Sequence, residues 1–174
     1  MLIPHLHKAL FVGRNAMNRT FIYNPGKGIV YNGIELLWGA ERKFVRRVFE
    51  SDYQVHDHEL GGVTYHRDVY SVLEGEQAYF FFNYDSNNRF SEIEIHNGIA
   101  LDVKGQLIEC DMDFQEAVSR LSQASPSRKP FGTGEMLFPD LKLNICSGEL
   151  MGAEDDNNKL SYIYCASDVG HLIN

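Results

Sequence analysis

The segment HDH at residues 56–58 places His56 and His58 two positions apart, and His66 follows eight residues after His58. In an extended strand, residues i and i+2 project to the same side, so two imidazoles could begin a metal site. Asp57 or Glu59 could supply a further ligand. No HExxH motif accompanies the histidines. The pattern favours a surface strand or loop, with a metal-dependent hydrolase using His56, His58 and His66 as the lesser alternative.

The carboxylates Glu92 and Glu94 are the second candidate pair. In SEIEIH, residues 91–96, strand alternation places Glu92, Glu94 and His96 on one face and the two isoleucines on the other. Strand rise separates the carboxylates by about 7 Å, a spacing that could serve acid–base chemistry on a glycoside. The simpler interpretation is the solvated face of a hairpin.

The chain has no GxSxG motif, no P-loop, and no GxGxxG motif followed by a helix. Its three cysteines are an odd number and form no CxxC pair, which argues against both a disulfide framework and a structural zinc site. We therefore predict a protein that is not an enzyme and that binds no metal and no cofactor.

A repeated motif indicates internal duplication. NNRFSEIEI begins at Asn87, and NNKLSYIYC begins at Asn157, seventy positions later. In the second copy, Tyr162 and Tyr164 occupy the positions of Glu92 and Glu94. The face opposite the isoleucines is thus predicted to be acidic in one half and tyrosine-bearing in the other.

Each copy also contains a predicted helix. Apolar residues recur at helical spacing in GAERKFVRRVFES, residues 39–51, and in DMDFQEAVSRLSQ, residues 111–123. The offset of seventy pairs Phe44 with Phe114, and Asp111 and Asp113 are candidates for the N-terminus of the second helix. Residues 79–82, 90–96 and 160–165 read as strands.

We predict a single domain over residues 1–174, with repeats at approximately 29–98 and 99–168. Neither copy can bury its helix properly without the other. The expected fold is α+β: two tandem strand–helix–strands repeats form a twisted, mainly antiparallel sheet with two helices packed on one face. The other face of the sheet is expected to be partly open.

Charge and hydropathy limit the classes of partner. The net charge is −8; residues 1–87 contribute −1 and residues 88–174 contribute −7. An acidic half repels phosphate backbones, so nucleic acid is not an expected partner. No apolar stretch approaches the roughly 20 residues that cross a bilayer, and the first residues lack a secretory signal pattern. We expect a cytoplasmic protein without a membrane partner.

Tyrosine at a solvent-facing strand position is typical of protein interfaces, and acidic residues beside it would steer a basic partner. The alternative is that cross-strand tyrosine and glutamate stabilise an exposed sheet. The candidate partner-binding residues share the predicted polar face or the acidic segment before the second strand motif: Glu92, Glu94, His96, Glu149, Glu154, Asp155, Asp156, Tyr162 and Tyr164.

Three stretches give the chain a family resemblance: NGIELLWGAERKFVRRVF, YFFFNYDSNNRFSEIEIHNG and LMGAEDDNNKLSYIYC. Together they resemble the small immunity proteins of bacterial contact-dependent or polymorphic toxin systems. The duplicated arrangement is also similar to TATA-box-binding-like and Whirly-like repeats. Those repeats bind nucleic acid through a basic surface, which the acidic second half of this chain lacks.

The resemblance to immunity proteins implies an antidote that binds a cognate toxin domain and blocks its active site. Many such toxins are nucleases with basic clefts, which an acidic surface could occupy as a phosphate mimic. The alternative function is a structural or small-ligand-binding module that uses the open sheet face or the gap between the repeats.

Overall fold

The computed structural model describes residues 19–152 and 158–172, which form an α+β fold of two helices and mostly antiparallel strands, as the sequence predicts. The helices are α1 (Arg42–Phe49) and α2 (Phe114–Ala124). The strands of the first half are β1 (Thr20–Asn24), β2 (Gly28–Tyr31), β3 (Ile34–Leu37), β4 (Tyr53–Val55), β5 (His58–Leu60), β6 (Val63–Leu73), β7 (Glu76–Tyr84) and β8 (Phe90–Asn97). Those of the second half are β9 (Ala100–Val103), β10 (Gln106–Glu109), β11 (Lys129–Pro130), β12 (Glu135–Phe138), β13 (Leu143–Ser147) and β14 (Leu160–Ala166).

These strands form two main sheets, where the sequence suggested one. The small sheet has the order β10-β9-β1-β2-β3, and the large sheet has the order β11-β12-β13-β14-β8-β7-β6-β4, with β5 paired to the start of β6. β1 and β9 run parallel, so β1 joins the β2–β3 hairpin of the first half to the β9–β10 hairpin of the second. This contact spans about eighty residues, and no local pattern in the sequence predicts it.

One continuous hydrophobic core lies between the two sheets and includes the inner faces of both helices. Phe82 of the large sheet is at its centre and contacts the ring of Phe21 from the small sheet and that of Phe49 from α1. The inner face of the large sheet is therefore filled by apolar packing. Its outer face is packed by neither helix.

The two halves repeat the same backbone hydrogen bonds where the helix begins and the final strand starts. Gly39 donates to the carbonyl of Phe90 at 2.7 Å, and Asp111 donates to that of Leu160 at 2.8 Å. At the start of α1 the amide of Arg42 donates to Asn88, just as Phe114 at the start of α2 donates to Asn158. In each half, the turn before the final strand therefore holds the N-terminus of the helix.

The offset between the halves is 70 in the final strands but 72 in the helices, so the predicted pairing of Phe44 with Phe114 is wrong. Phe44 is 36% exposed, whereas Phe114 is 5% exposed. At an offset of 72, the buried Val45 and Phe49 correspond to the buried Ala117 and Leu121. The difference of two residues arises in the connections, where length changes disturb the core least.

The predicted N-terminus of the second helix is confirmed at Asp113. Its side chain accepts a hydrogen bond from the amide of Glu116 at 2.9 Å and so caps α2. Asp111 lies before the cap, with a positive φ of 73°. In the part of the chain that the structure describes, no helix is long and apolar enough to cross a membrane.

A buried ion cluster fastens α1 to β6. Asp68 is fully buried and accepts hydrogen bonds from Arg42 Nη2 at 2.6 Å and from Arg46 Nη2 at 2.7 Å. Burial acts to raise the pKa of Asp68, but the hydrogen bonds from the two arginines outweigh it and leave the pKa below its usual value. Arg42 also reaches Asp57 at 3.0 Å, which ties the connection between β4 and β5 to the helix.

Candidate functional site

The face of the large sheet that points away from the core carries polar and aromatic side chains, and we call it the polar face. Its residues alternate along the strands with core residues, as Glu94 does between the fully buried Ile93 and Ile95. Glu94 pairs directly with Phe81 on one side and with Tyr164 on the other. The members of the polar face are Tyr65, Arg67, Tyr79, Phe81, Asn83, Glu92, Glu94, His96, Tyr162 and Tyr164.

Five rings form an unbroken chain across this face, from β7 through β8 to β14. The centroids of Tyr79 and Phe81 are 4.9 Å apart, and those of Phe81 and His96 are 4.7 Å apart. His96 lies 5.1 Å from Tyr162, which stacks on Tyr164 at 6.4 Å. Such contacts hold each ring in one orientation, so the face presents a rigid aromatic surface.

The C-terminal turn Gly170–Leu172 covers one end of the chain of rings. Tyr164 packs with Val169 in a second, smaller apolar cluster, and its ring lies 6.4 Å from that of His171. Tyr164 is therefore only 8% exposed, whereas Tyr79 at the other end is 46% exposed. Phe81, Asn83 and Glu94 are buried to a similar degree. The accessible part of the polar face therefore consists of two exposed rings and four half-buried side chains: Tyr65, Tyr79, Arg67, Glu92, His96 and Tyr162.

Glu94 lies at the centre of the polar face and is already neutralised. Its Oε1 accepts hydrogen bonds from Arg67 Nη2 and from Asn83 Nδ2, both at 2.6 Å. Arg67 Nε also donates to Asn83 Oδ1 at 2.7 Å, and the guanidinium lies 4.8 Å from the centroid of Phe81. The carboxylate, the amide and the guanidinium thus form one closed network above the aromatic surface.

The surroundings of the network shift the pKa of Glu94 and that of Tyr162. Burial acts to raise the pKa of Glu94, but the imidazole of His96, whose Nε2 lies 3.8 Å from Glu94 Oε2, the hydrogen bond from Asn83 and the charge of Arg67 outweigh it and hold the pKa below its usual value. Burial, followed by the nearby charge of Glu94, raises the pKa of Tyr162 far above its usual value. At neutral pH Glu94 is therefore a carboxylate and Tyr162 a neutral phenol.

Replacing Glu94 with glutamine is expected to lower the free energy of unfolding at pH 7 by about 1–3 kcal/mol, because Arg67 loses a charged acceptor. A depressed pKa contributes stability above the unfolded value of about 4.3, and this contribution is lost as the pH falls through the folded pKa. The difference between wild type and Glu94→Gln should therefore shrink from pH 7 to pH 3, as measured by urea unfolding.

The exposed Glu76 at the start of β7 provides the matched control. Glu76→Gln should change stability by less than about 0.5 kcal/mol at either pH. A loss at Glu94 that stays constant between pH 7 and pH 3 would contradict a folded pKa below the unfolded one.

Glu92 differs from Glu94 in forming no ion pair within the described residues. Its Oε2 accepts a hydrogen bond from Asn83 Nδ2 at 3.2 Å. Burial, followed by the nearby charge of Glu92, raises the pKa of Tyr164. Within residues 19–152 and 158–172, no arginine, lysine or histidine forms an ion pair with it. Glu92 is half-buried, and its negative charge remains available to a partner.

The histidines considered as metal ligands have separate neighbours. His56 Nε2 lies 3.4 Å from Gln54 Oε1, and the ring of His58 stacks on Tyr65 at 5.3 Å. His66 Nδ1 lies 3.0 Å from Asp57 Oδ2 without hydrogen-bond alignment. Among the described residues, no group of three histidine, cysteine, aspartate or glutamate side chains is placed to hold a metal ion. The hydrolase alternative at His56, His58 and His66 thus lacks a ligand set.

The three cysteines are buried free thiols. Burial raises the pKa of Cys110 and that of Cys146 to about 12, and it also raises the pKa of Cys165. A thiol must ionise to act as a nucleophile. These side chains therefore serve packing.

The structure brings Glu92, Glu94, His96, Tyr162 and Tyr164 together on the polar face. Glu149 is not among them: it lies in the turn after β13, in a separate small cleft near the start of α2. The other three predicted acidic residues, Glu154, Asp155 and Asp156, lie outside the described residues.

Five members of the polar face were not predicted from the sequence: Tyr65, Arg67, Tyr79, Phe81 and Asn83. The run YFFF, residues 79–82, is apolar at every position, which is typical of a central strand with two apolar faces. The alternation along β7 contained the signal, because Tyr79, Phe81 and Asn83 occupy every second position, opposite the core residues Phe80 and Phe82. No pattern in the neighbouring sequence predicted that Arg67 belongs to this face, because it contacts Glu94 from two strands away.

Comparison of the chain with protein-family models, with curated proteins and with solved structures finds no match. Function is therefore inferred from the geometry of the polar face.

Proposed function

We propose that the protein is an immunity protein, without enzymatic activity of its own, that neutralises a cognate bacterial toxin by binding it through the polar face. The observation that carries this proposal is the chain of aromatic rings on a sheet face that neither helix covers, beside a carboxylate, Glu92, that forms no ion pair in the part of the chain that the structure describes. Aromatic residues of this kind supply much of the binding energy in protein interfaces.

Rigidity of the polar face favours tight binding. Ring contacts hold Phe81, His96 and Tyr162, and the Arg67–Asn83–Glu94 network holds the charged groups between them. A surface whose side chains are already ordered loses less conformational entropy when a partner binds. An antidote needs this property, because it must occupy the toxin at low concentration.

Charge favours a toxin with a basic surface. The whole chain carries a net charge of −8, and the carboxylate of Glu92 on the polar face forms no ion pair with any residue that the structure describes. Complementary charges accelerate encounter and align the partners. A nuclease domain has a basic substrate cleft, so blocking that cleft would both inhibit the toxin and satisfy the charge of the polar face.

Mechanistically, the roles of the two glutamates differ. Glu94 bonds Arg67 and orients the face, so it is a positioning residue rather than a mimic of phosphate. Glu92 is the carboxylate able to approach cationic groups of the toxin. Tyr79 is the most exposed of the five rings on the polar face. It would insert into the toxin surface as an apolar anchor with a hydroxyl at its tip.

The test is to coexpress the protein with the toxin-like product of the adjacent reading frame and to measure both complex formation and cell survival. We expect a stable complex with a Kd in the nanomolar range, on the order of −12 kcal/mol, and rescue of growth. A gene without a toxin-like neighbour, or a neighbour that is not bound at micromolar concentration, would refute the proposal.

A further inference from the structure

A cleft of about 510 Å³ opens at the β5–β6 end of the polar face. The ladder between β6 and β7 ends at His66 and Tyr84, and β6 continues beyond it to pair with β5. Six of the residues that line the cleft bear on its chemistry: His58, Tyr65, Arg67, Asn83, Asp85 and Glu92. Since Tyr65, Arg67, Asn83 and Glu92 also belong to the polar face, the cleft is continuous with the proposed toxin-binding surface.

One wall of the cleft is aromatic. His58 and Tyr65 face each other across β5 and β6, with centroids 5.3 Å apart and ring planes 14° apart. Tyr65 remains 44% exposed despite this contact. An exposed aromatic ring at the edge of a cleft attracts a cation, and a planar cation stacks on it best.

The net charge of the cleft is negative. Arg67 is the one arginine or lysine among the described lining residues, and its charge is matched by that of Glu94 at 2.6 Å. Asp85 accepts backbone hydrogen bonds from Asn87 and Arg89 through Oδ1, and its Oδ2 accepts none from residues 19–152 or 158–172. Neither Asp85 nor Glu92 forms an ion pair within the described residues. Two carboxylates without a countercharge therefore adjoin the aromatic wall.

We infer that this cleft receives an arginine side chain of the partner protein, with its guanidinium stacked on Tyr65 and its N–H groups donating to Glu92 and Asp85. Arginine suits the cleft better than lysine, because its planar fork both stacks and donates to two carboxylates. The inference rests on the proposed function in taking the partner to be a protein with a basic surface. It adds the chemical group that the face recognises.

The probe is N-acetyl-arginine amide, titrated into the labelled protein and followed by backbone amide NMR shifts. The control probe is N-acetyl-citrulline amide, which has the same shape without the charge. We expect millimolar binding of the arginine probe with shifts at Tyr65, Asp85 and Glu92, and at least roughly fivefold weaker binding of citrulline, because the carboxylates recognise charge. Equal binding of the two probes, or shifts scattered over the surface, would overturn the inference.

Glu92→Gln should weaken binding of the arginine probe by roughly tenfold while leaving the spectrum of the free protein largely unchanged, because one charged acceptor is lost. Glu76→Gln, which alters an exposed glutamate outside the cleft, should leave the affinity unchanged. An unaltered affinity in Glu92→Gln would remove Glu92 from the site and overturn the inference.

The immunity function and the arginine site can be refuted independently of each other. Arginine binding in the cleft without any toxin complex would preserve the arginine site and refute the immunity function. A nanomolar toxin complex whose affinity is the same in wild type and in Glu92→Gln would preserve the function and refute the arginine site.

Discussion

Asp68→Asn is expected to lower the free energy of unfolding by about 3–5 kcal/mol, the cost of leaving buried charges unpaired. Asp68 is fully buried and bonds both Arg42 and Arg46. Asparagine keeps the size of the side chain but removes the negative charge that both guanidiniums share. Arg42, which is only 8% exposed, cannot regain its hydration without moving α1 away from β6.

Urea unfolding at pH 7 measures this loss, and Asp52→Asn is the matched control. Asp52 is an exposed aspartate between α1 and β4, and its replacement should change stability by less than about 0.5 kcal/mol. A loss below about 1 kcal/mol at Asp68 would mean that water or Asp57 compensates the arginines. The ion cluster would then contribute little to holding α1 in place.

Tyr79→Ala is expected to weaken toxin binding by roughly thirtyfold, equivalent to about 2 kcal/mol for an aromatic residue that anchors an interface. Tyr79 is 46% exposed and contacts Phe81 and His96, so a partner that covers the polar face must cover this ring. Its truncation removes an anchor but leaves the core intact. The loss should appear mainly as faster dissociation.

Leu107→Ala is the control for Tyr79→Ala. Leu107 is 44% exposed on β10 of the small sheet, on the far side of the core from the polar face. Titration calorimetry and dissociation kinetics of both variants should show a loss of affinity for Tyr79→Ala alone. A larger loss for Leu107→Ala would place the interface on the small sheet instead.

Local patterns in the sequence predicted the elements that local interactions specify. Apolar spacing located both helices, and Asp113 marked the start of α2 because its side chain bonds an amide three residues ahead. Alternation placed Ile93 on the core side and Glu92 and Glu94 on the outer side of β8, as the structure confirms. The predicted correspondence between α1 and α2 was wrong by two positions. The repeated motif lies in the strands, so its offset of 70 applies to the strands and not to the helices.

The chain's own residues also specified much of the polar face, because period-two alternation is a property of each strand. Alternation alone was enough to put Tyr162 and Tyr164 on the face that bears Glu92 and Glu94. The charges on that face could be determined only from the tertiary structure. Arg67 approaches Glu94 only because β6, β7 and β8 are adjacent, and this adjacency turns one of two equivalent acids into a neutralised positioning residue. Contacts between distant segments depend on how all the strands pair, and no short stretch of sequence records that pairing.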